Sequence, residues 1–148
     1  MKTIILYYSH SGNTKALANE KAKELGCDLE EITEVKKPNI FVALHRVVKR
    51  KKTEIKPIKA NLDEYERIII MSCVWASHPV APVNSAIDCL PAGKEVEVVM
   101  VSGGGGTKKT AAGTKALIIG RGCEVVGYTD VKAKKVNGEV VGEELGLV

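Results

Sequence analysis

Five short runs of apolar residues recur along the chain, separated by stretches whose apolar positions repeat at helical spacing. The runs predict strands over Thr3 to Tyr8, Asp28 to Thr33, Arg67 to Cys73, Glu95 to Ser102 and Cys123 to Asp130. Two of them, RIIIMSCVW and EVEVVMVS, are nearly continuous in apolar content, as central strands covered on both faces must be. The second, DLEEIT, is acidic and hydroxylic and reads as an edge. Between the strands, a first helix starts at Asn13, carries Ala18, Ala22 and Leu25 on one face and stops at Gly26. Pro38 and Asn39 open a second, with Ile40, Leu44, Val47 and Val48 as its inward face. Pro82 fits the first turn of a third, whose Val83, Ile87 and Leu90 point inward. A fourth, rich in alanine, runs from about Lys109 to Gly120. This alternation predicts an α/β fold, a doubly wound five-stranded parallel sheet, with its ligand beyond the carboxyl ends of the strands.

After the fifth strand no amphipathic pattern follows, so the final helix of such a fold is absent. Residues 1–130 therefore read as the domain and 131–148 as a C-terminal tail. An Asn137-Gly138 turn flanked by Val136 and Val140 suits a small β-hairpin. The tail's apolar residues Val131, Val136, Val140, Val141, Leu145, Leu147 and Val148 lack helical spacing. They suit an extra hairpin or a homodimer interface, the second being the favoured role.

Composition narrows the class. A chain of 148 residues with 45% hydrophobic and 27% charged residues is that of one globular domain. No membrane-length apolar run and no leader pattern is present, which places the expectation in the cytoplasm with no membrane partner. Cys27, Cys73, Cys89 and Cys123 are too scattered for a metal site or a redox pair and read as buried thiols. Residues 46–59, RVVKRKKTEIKPIK, hold a local charge of +6 against +4 for the whole chain. Without stacking aromatics or a recognition motif, the patch does not read as a nucleic-acid site. It reads as a solvated helix end or a docking face for an acidic protein.

In a doubly wound sheet the loops after strands one, three and four meet. Here these are SHSGNT, VWASHP and SGGGGT. The first places Ser9, Ser11, Gly12, Asn13 and Thr14 between a strand and a helix start, where unpaired N–H groups attract an anion. Caps need one such residue, not four. The second holds the chain's only Trp, Trp75, and the third offers bare backbone. A phosphate, an aromatic plane and free N–H groups suit a planar ring joined to a phosphate, and flavin mononucleotide has that shape. His10 and His78 lie in these loops, whereas His45 reads as a surface residue.

The arrangement resembles the flavodoxin-like flavoproteins. Their first loop follows a T/S-x-T/S-G-x-T pattern matched by Ser9, Ser11, Gly12, Asn13 and Thr14, and EYERIIIMSCVWASHPVAPVNSAI is similar to their third strand, flavin loop and following helix. The resemblance spans about residues 1–130 and implies a strand order 2-1-3-4-5. It implies FMN held at its phosphate by Ser9, His10, Ser11, Gly12, Asn13 and Thr14. Val74, Trp75, Ala76, Ser77 and His78 would line the isoalloxazine, and Ser102, Gly103, Gly104, Gly105 and Gly106, running on to Thr107, its pyrimidine edge. Electron transfer with a redox partner protein is the implied function. A small NAD(P)H-dependent flavin or quinone reductase, an oxidoreductase with a small acceptor, is the alternative, and a flavin-free interaction module a further one. Competing folds lack their residues: there is no acidic cluster for a phosphorelay receiver, no Cys followed six positions on by Arg for a phosphatase loop, and no glycine fingerprint after strand one.

Overall fold

A computed structural model describes residues 1–148. Its strands are β1 (Thr3–Tyr8), β2 (Asp28–Glu31), β3 (Arg67–Trp75), β4 (His78–Pro79), β5 (Glu95–Ser102), β6 (Glu124–Val136) and β7 (Glu139–Leu147). The helices are α1 (Asn13–Leu25), α2 (Ile40–Val48), α3 (Ala81–Asp88) and α4 (Ala111–Gly120), with a short 3-10 turn at Leu62–Glu64. The sheet runs β2-β1-β3-β5-β6-β7. Its first five members are parallel, in the order that the resemblance implies. Two antiparallel strands extend the five-stranded expectation: β7 beside β6, and the two-residue β4 beside the end of β3.

The sheet is covered on both faces. One face packs Ile4, Leu6, Ile68, Ile70, Val98 and Met100 against α2, α3 and α4. The other packs Ile5, Tyr7, Ile69, Met71, Val99 and Val101 against Leu17, Ala18 and Ala22 of α1. The inward face of α1 is therefore set by Leu17, while the expected Leu25 lies exposed at the helix end.

No helix follows β6. The strand runs past residue 130 to Val136, turns at Asn137-Gly138 and returns as β7. A register shift at Asp130/Val131 bends the hairpin. Val140 joins the α1-side cluster, and Gly142 sits where an added Cβ would lie 2.9 Å from Val131 and 3.3 Å from Leu17. The hairpin thus takes over part of the cover a last helix would give. Leu145 and Leu147 remain exposed.

Three local expectations are corrected. The second strand ends at Glu31, not Thr33. The predicted inward face of α2 is buried only at Val47: Ile40, Leu44 and Val48 are exposed and Phe41 is 81% exposed. Periodicity showed that α2 is amphipathic, but the sheet and α3 offer it only a narrow seat. Nor are the four thiols uniformly buried. Cys123 is, Cys27 and Cys73 are half-buried, and Cys89 is exposed because it falls just past the last turn of α3. No helix is long and apolar enough to cross a membrane.

Candidate functional site

Parallel register brings three strand ends to one level: Tyr8 beside Ser72, Cys73 beside Val101, and Ser102 beside Lys132. The loops that follow these strands meet there. In the first, the Ser9 hydroxyl accepts the Gly12 N–H at 3.1 Å, and Gly12 turns through φ 99° to start α1. A left-handed φ of this size is open to glycine and strained for other residues.

Despite four hydroxyl or amide residues in that loop, no side chain caps α1. The N–H groups of Asn13, Thr14 and Lys15 find no acceptor in the chain, and the first backbone bond of the helix runs from Ala16 N–H to Gly12 O. By contrast the single Asn39 caps α2, accepting from Val42 N–H at 3.0 Å. The start of α1 therefore keeps three donors and a partial positive charge facing outward. His10, Ser11 and Gly12 are exposed, whereas Thr14 is 1% exposed.

The second loop is tighter than its sequence suggests. Val74 and Trp75 still belong to β3, and the chain reverses over Ala76 and Ser77, at φ 48° and 62°, into His78 and Pro79 of β4. Two left-handed residues in succession form the kind of hairpin turn usually filled by Asn-Gly. The His78 ring nitrogen donates to Ala76 O at 2.6 Å. Trp75 lies edge-on to His10, with ring centroids 5.0 Å apart and planes at 83°, which joins the first loop to the second.

In the third loop Gly103, Gly104, Gly105 and Gly106 are exposed, and the Gly104 N–H donates to Ser102 Oγ at 3.3 Å. The Thr110 hydroxyl donates to Ser77 O, tying the segment after the glycines to the second loop. Of the sixteen sequence-predicted residues, Asn13 and Thr14 begin α1, Val74 and Trp75 end β3, His78 opens β4 and Ser102 ends β5, and the other ten lie in the loops at this edge.

Sequence reading missed the residues that hold these loops. Asp130, 4% exposed on β6, receives Thr107 at the end of the glycine loop. An acid at the end of an apolar strand was the available signal. Arg50, from the run read as solvated, reaches across α4 to donate to Thr114 Oγ1 at 2.8 Å and to Thr110 O. Burial pulls its guanidinium below the ordinary value. Under α2, the Tyr8 phenol donates to Glu34 at 2.5 Å, and burial first, then this bond, raises its pKa. Burial likewise pushes the Cys73 thiol up to about 11, which fits an inert packing residue at the strand end. No cluster of His, Cys, Asp and Glu could hold a metal.

No protein-family model matches the chain, and no curated protein is similar enough to match. Among solved structures, a flavoprotein from Lactobacillus acidophilus in complex with FMN is 26% identical, with a TM-score of 0.74 over 87% of this chain and 92% of that one. The apo-form of the flavoprotein from that organism, solved by NMR, is 27% identical with a TM-score of 0.70, covering 87% and 91%. A WrbA-like flavodoxin from Agrobacterium tumefaciens shares the fold, at 16% identity and a TM-score of 0.64 over 93% of this chain and 86% of that one. By strand order, loop placement and this likeness, the chain has a flavodoxin-like fold and is similar to flavoproteins.

Proposed function

We propose that the chain binds FMN non-covalently where the three loops meet and serves as an electron-transfer protein. The observation that carries the reading is the uncapped start of α1. Three backbone donors at the helix start, with the helix dipole behind them, lack an acceptor in a loop rich enough in hydroxyls to cap itself, and a phosphate monoester supplies such acceptors. The hydroxyls of Ser9, Ser11 and Thr14 would join them, and Trp75 with Val74 to His78 would meet the ring. The exposed Gly103 to Gly106 backbone would approach it without side-chain interference. The FMN complex of the similar Lactobacillus acidophilus flavoprotein supports the choice of ligand. Bound FMN would supply the redox chemistry, and this chain's residues would bind and orient it.

Electron transfer to a protein partner is supported by the outward face of α2. Ile40, Phe41, Leu44 and Val48 form an exposed apolar stripe next to the loops, flanked by Lys36, Lys37, Lys49 and Lys51. An apolar centre ringed by cations suits an acidic protein surface. Two copies of the chain would set like charges against each other on this face. The reductase reading is favoured by a different observation, a partly apolar cleft beside Trp75.

Reconstitution tests the cofactor: added FMN is expected to lose its fluorescence on binding, and unchanged fluorescence with no flavin spectrum in the purified protein defeats the proposal, leaving a flavin-free module. For the role, the loaded protein is expected to exchange electrons with an acidic iron–sulfur protein faster at low salt than at high salt. Bleaching by NADPH alone, with turnover of a quinone, would establish the reductase instead.

A further inference from the structure

We propose that the cleft between α2 and the carboxyl ends of β1 and β3 binds a small aryl carboxylate. The cleft encloses about 70 Å³, and its lining includes Val47, Val80, Ala81 and Pro82 together with Trp75 and Tyr8. An apolar wall of this kind suits an aromatic ring. Lys37 and Arg46 line both this cleft and the wider basic groove that adjoins it, so both cations stand where the two meet.

Neither cation is used by the chain's own acids. The protein's ion pairs are Lys2–Glu64, Lys21–Glu97, Lys52–Asp88, Arg67–Glu95 and Lys134–Glu143. Arg46 spends one donor on Thr53 Oγ1, at 2.9 Å, leaving the rest of its planar fork open. The one carboxylate in the cleft, Glu34, already accepts the Tyr8 phenol. A ring held on the apolar walls would therefore place its carboxylate on two cations that form no ion pair within the chain. Such a charge-assisted contact is the strong kind.

The inference does not rest on flavin binding: the cleft is lined by α2 and the segment before it, the start of α3, the ends of β1 and β3 and His10, and it contains none of the free N–H groups at the start of α1. His10 and Trp75 border both places, so the two sites would be neighbours.

The test uses benzoate and its uncharged isostere benzamide, titrated calorimetrically into the full chain with and without saturating FMN. The emission of Trp75, the only Trp, gives a second readout. Benzoate is expected to bind one site, roughly tenfold or more tighter than benzamide, and to shift Trp75 emission in both forms. Arg46→Gln and Lys37→Gln are each expected to weaken benzoate severalfold and leave benzamide unchanged. Equal affinity for acid and amide, indifference to both substitutions, or no saturable binding overturns the site. So does loss of benzoate binding once FMN is present, which would make the cleft part of the flavin site. Should FMN fail to bind at all, the benzoate titration still decides the cleft on its own.

Discussion

Asp130 receives both donors of Thr107: the backbone N–H reaches Oδ2 at 2.9 Å and the hydroxyl reaches Oδ1 at 2.6 Å. The pair is buried, so its bonds compete little with water, and it fixes the point where four glycines with no side chains of their own rejoin the fold. An added Cβ at Gly106 would come within 3.1 Å of the same carboxylate. The loop's freedom is thus confined to residues 103–106 by an acid on the neighbouring strand.

Asp130→Ala is expected to destabilise the protein by on the order of 3 kcal/mol, because both Thr107 donors lose a charged acceptor in a buried place. Urea unfolding measures it. FMN affinity should fall as well, while Thr107→Ser, which keeps both donors, should change either quantity little.

Removing hydroxyls from the first loop distinguishes a phosphate cradle from a mere helix start. The double variant Ser11→Ala with Thr14→Ala is expected to weaken FMN by roughly 1.5–3 kcal/mol per lost donor and to leave riboflavin, which has no phosphate, nearly unaffected. Flavin fluorescence titration compares the two. Equal weakening of both ligands contradicts the cradle.

Arg50 and Gly113 occupy one space. A Cβ on Gly113 would lie 2.6 Å from the Arg50 guanidinium, which is held by Thr114 and Thr110. Gly113→Ala is therefore expected to cost about 1–2 kcal/mol in the native chain, although alanine is the better helix former. In an Arg50→Ala background the same change should become neutral or stabilising by up to about 1 kcal/mol. A thermal-unfolding double-mutant cycle reads this coupling.

Stability should decline in alkali for an identifiable reason. The Tyr65 phenol donates to Asp28 at 2.6 Å, and chiefly through that bond its pKa is pushed up to about 12 from 10.0. The folded state thus holds this proton after the unfolded chain has lost it, so the contribution is fully present below pH 10.0 and is lost as pH rises through about 12. Tyr65→Phe is expected to remove that part of the slope. Guanidinium unfolding midpoints across this window check it.

The thiols should react in an order set by burial. Cys89 is exposed and is expected to be alkylated first, whereas Cys73, held at about 11 by burial, carries only on the order of one thiolate in a thousand near pH 8. Timed iodoacetamide labelling with mass spectrometry gives the order. Cys73 labelling as fast as Cys89 would contradict the buried setting.

What the sequence by itself determined is local. Apolar runs such as RIIIMSCVW commit their backbone to buried strands, a helix must start near Asn13, and Asn137-Gly138 must turn, because these follow from periodicity and turn chemistry within a few residues. The positions of the three loops followed too, since parallel strands joined by helices must gather alternate loops at one edge. The tertiary structure alone decided matters that depend on distant neighbours. Whether Ser9 and Asn13 cap α1 or leave it open depends on the path of the loop, not on its composition. Burial of Val47 but not Phe41 depends on how much surface the sheet and α3 present to α2, and a hydrophobic pattern reports only that a face exists. Arg50 and Asp130 read locally as a solvated cation and a strand end. Their partners, Thr114 and Thr107, lie 64 and 23 residues away, and only folding brings a charge to the donor or acceptor that holds it.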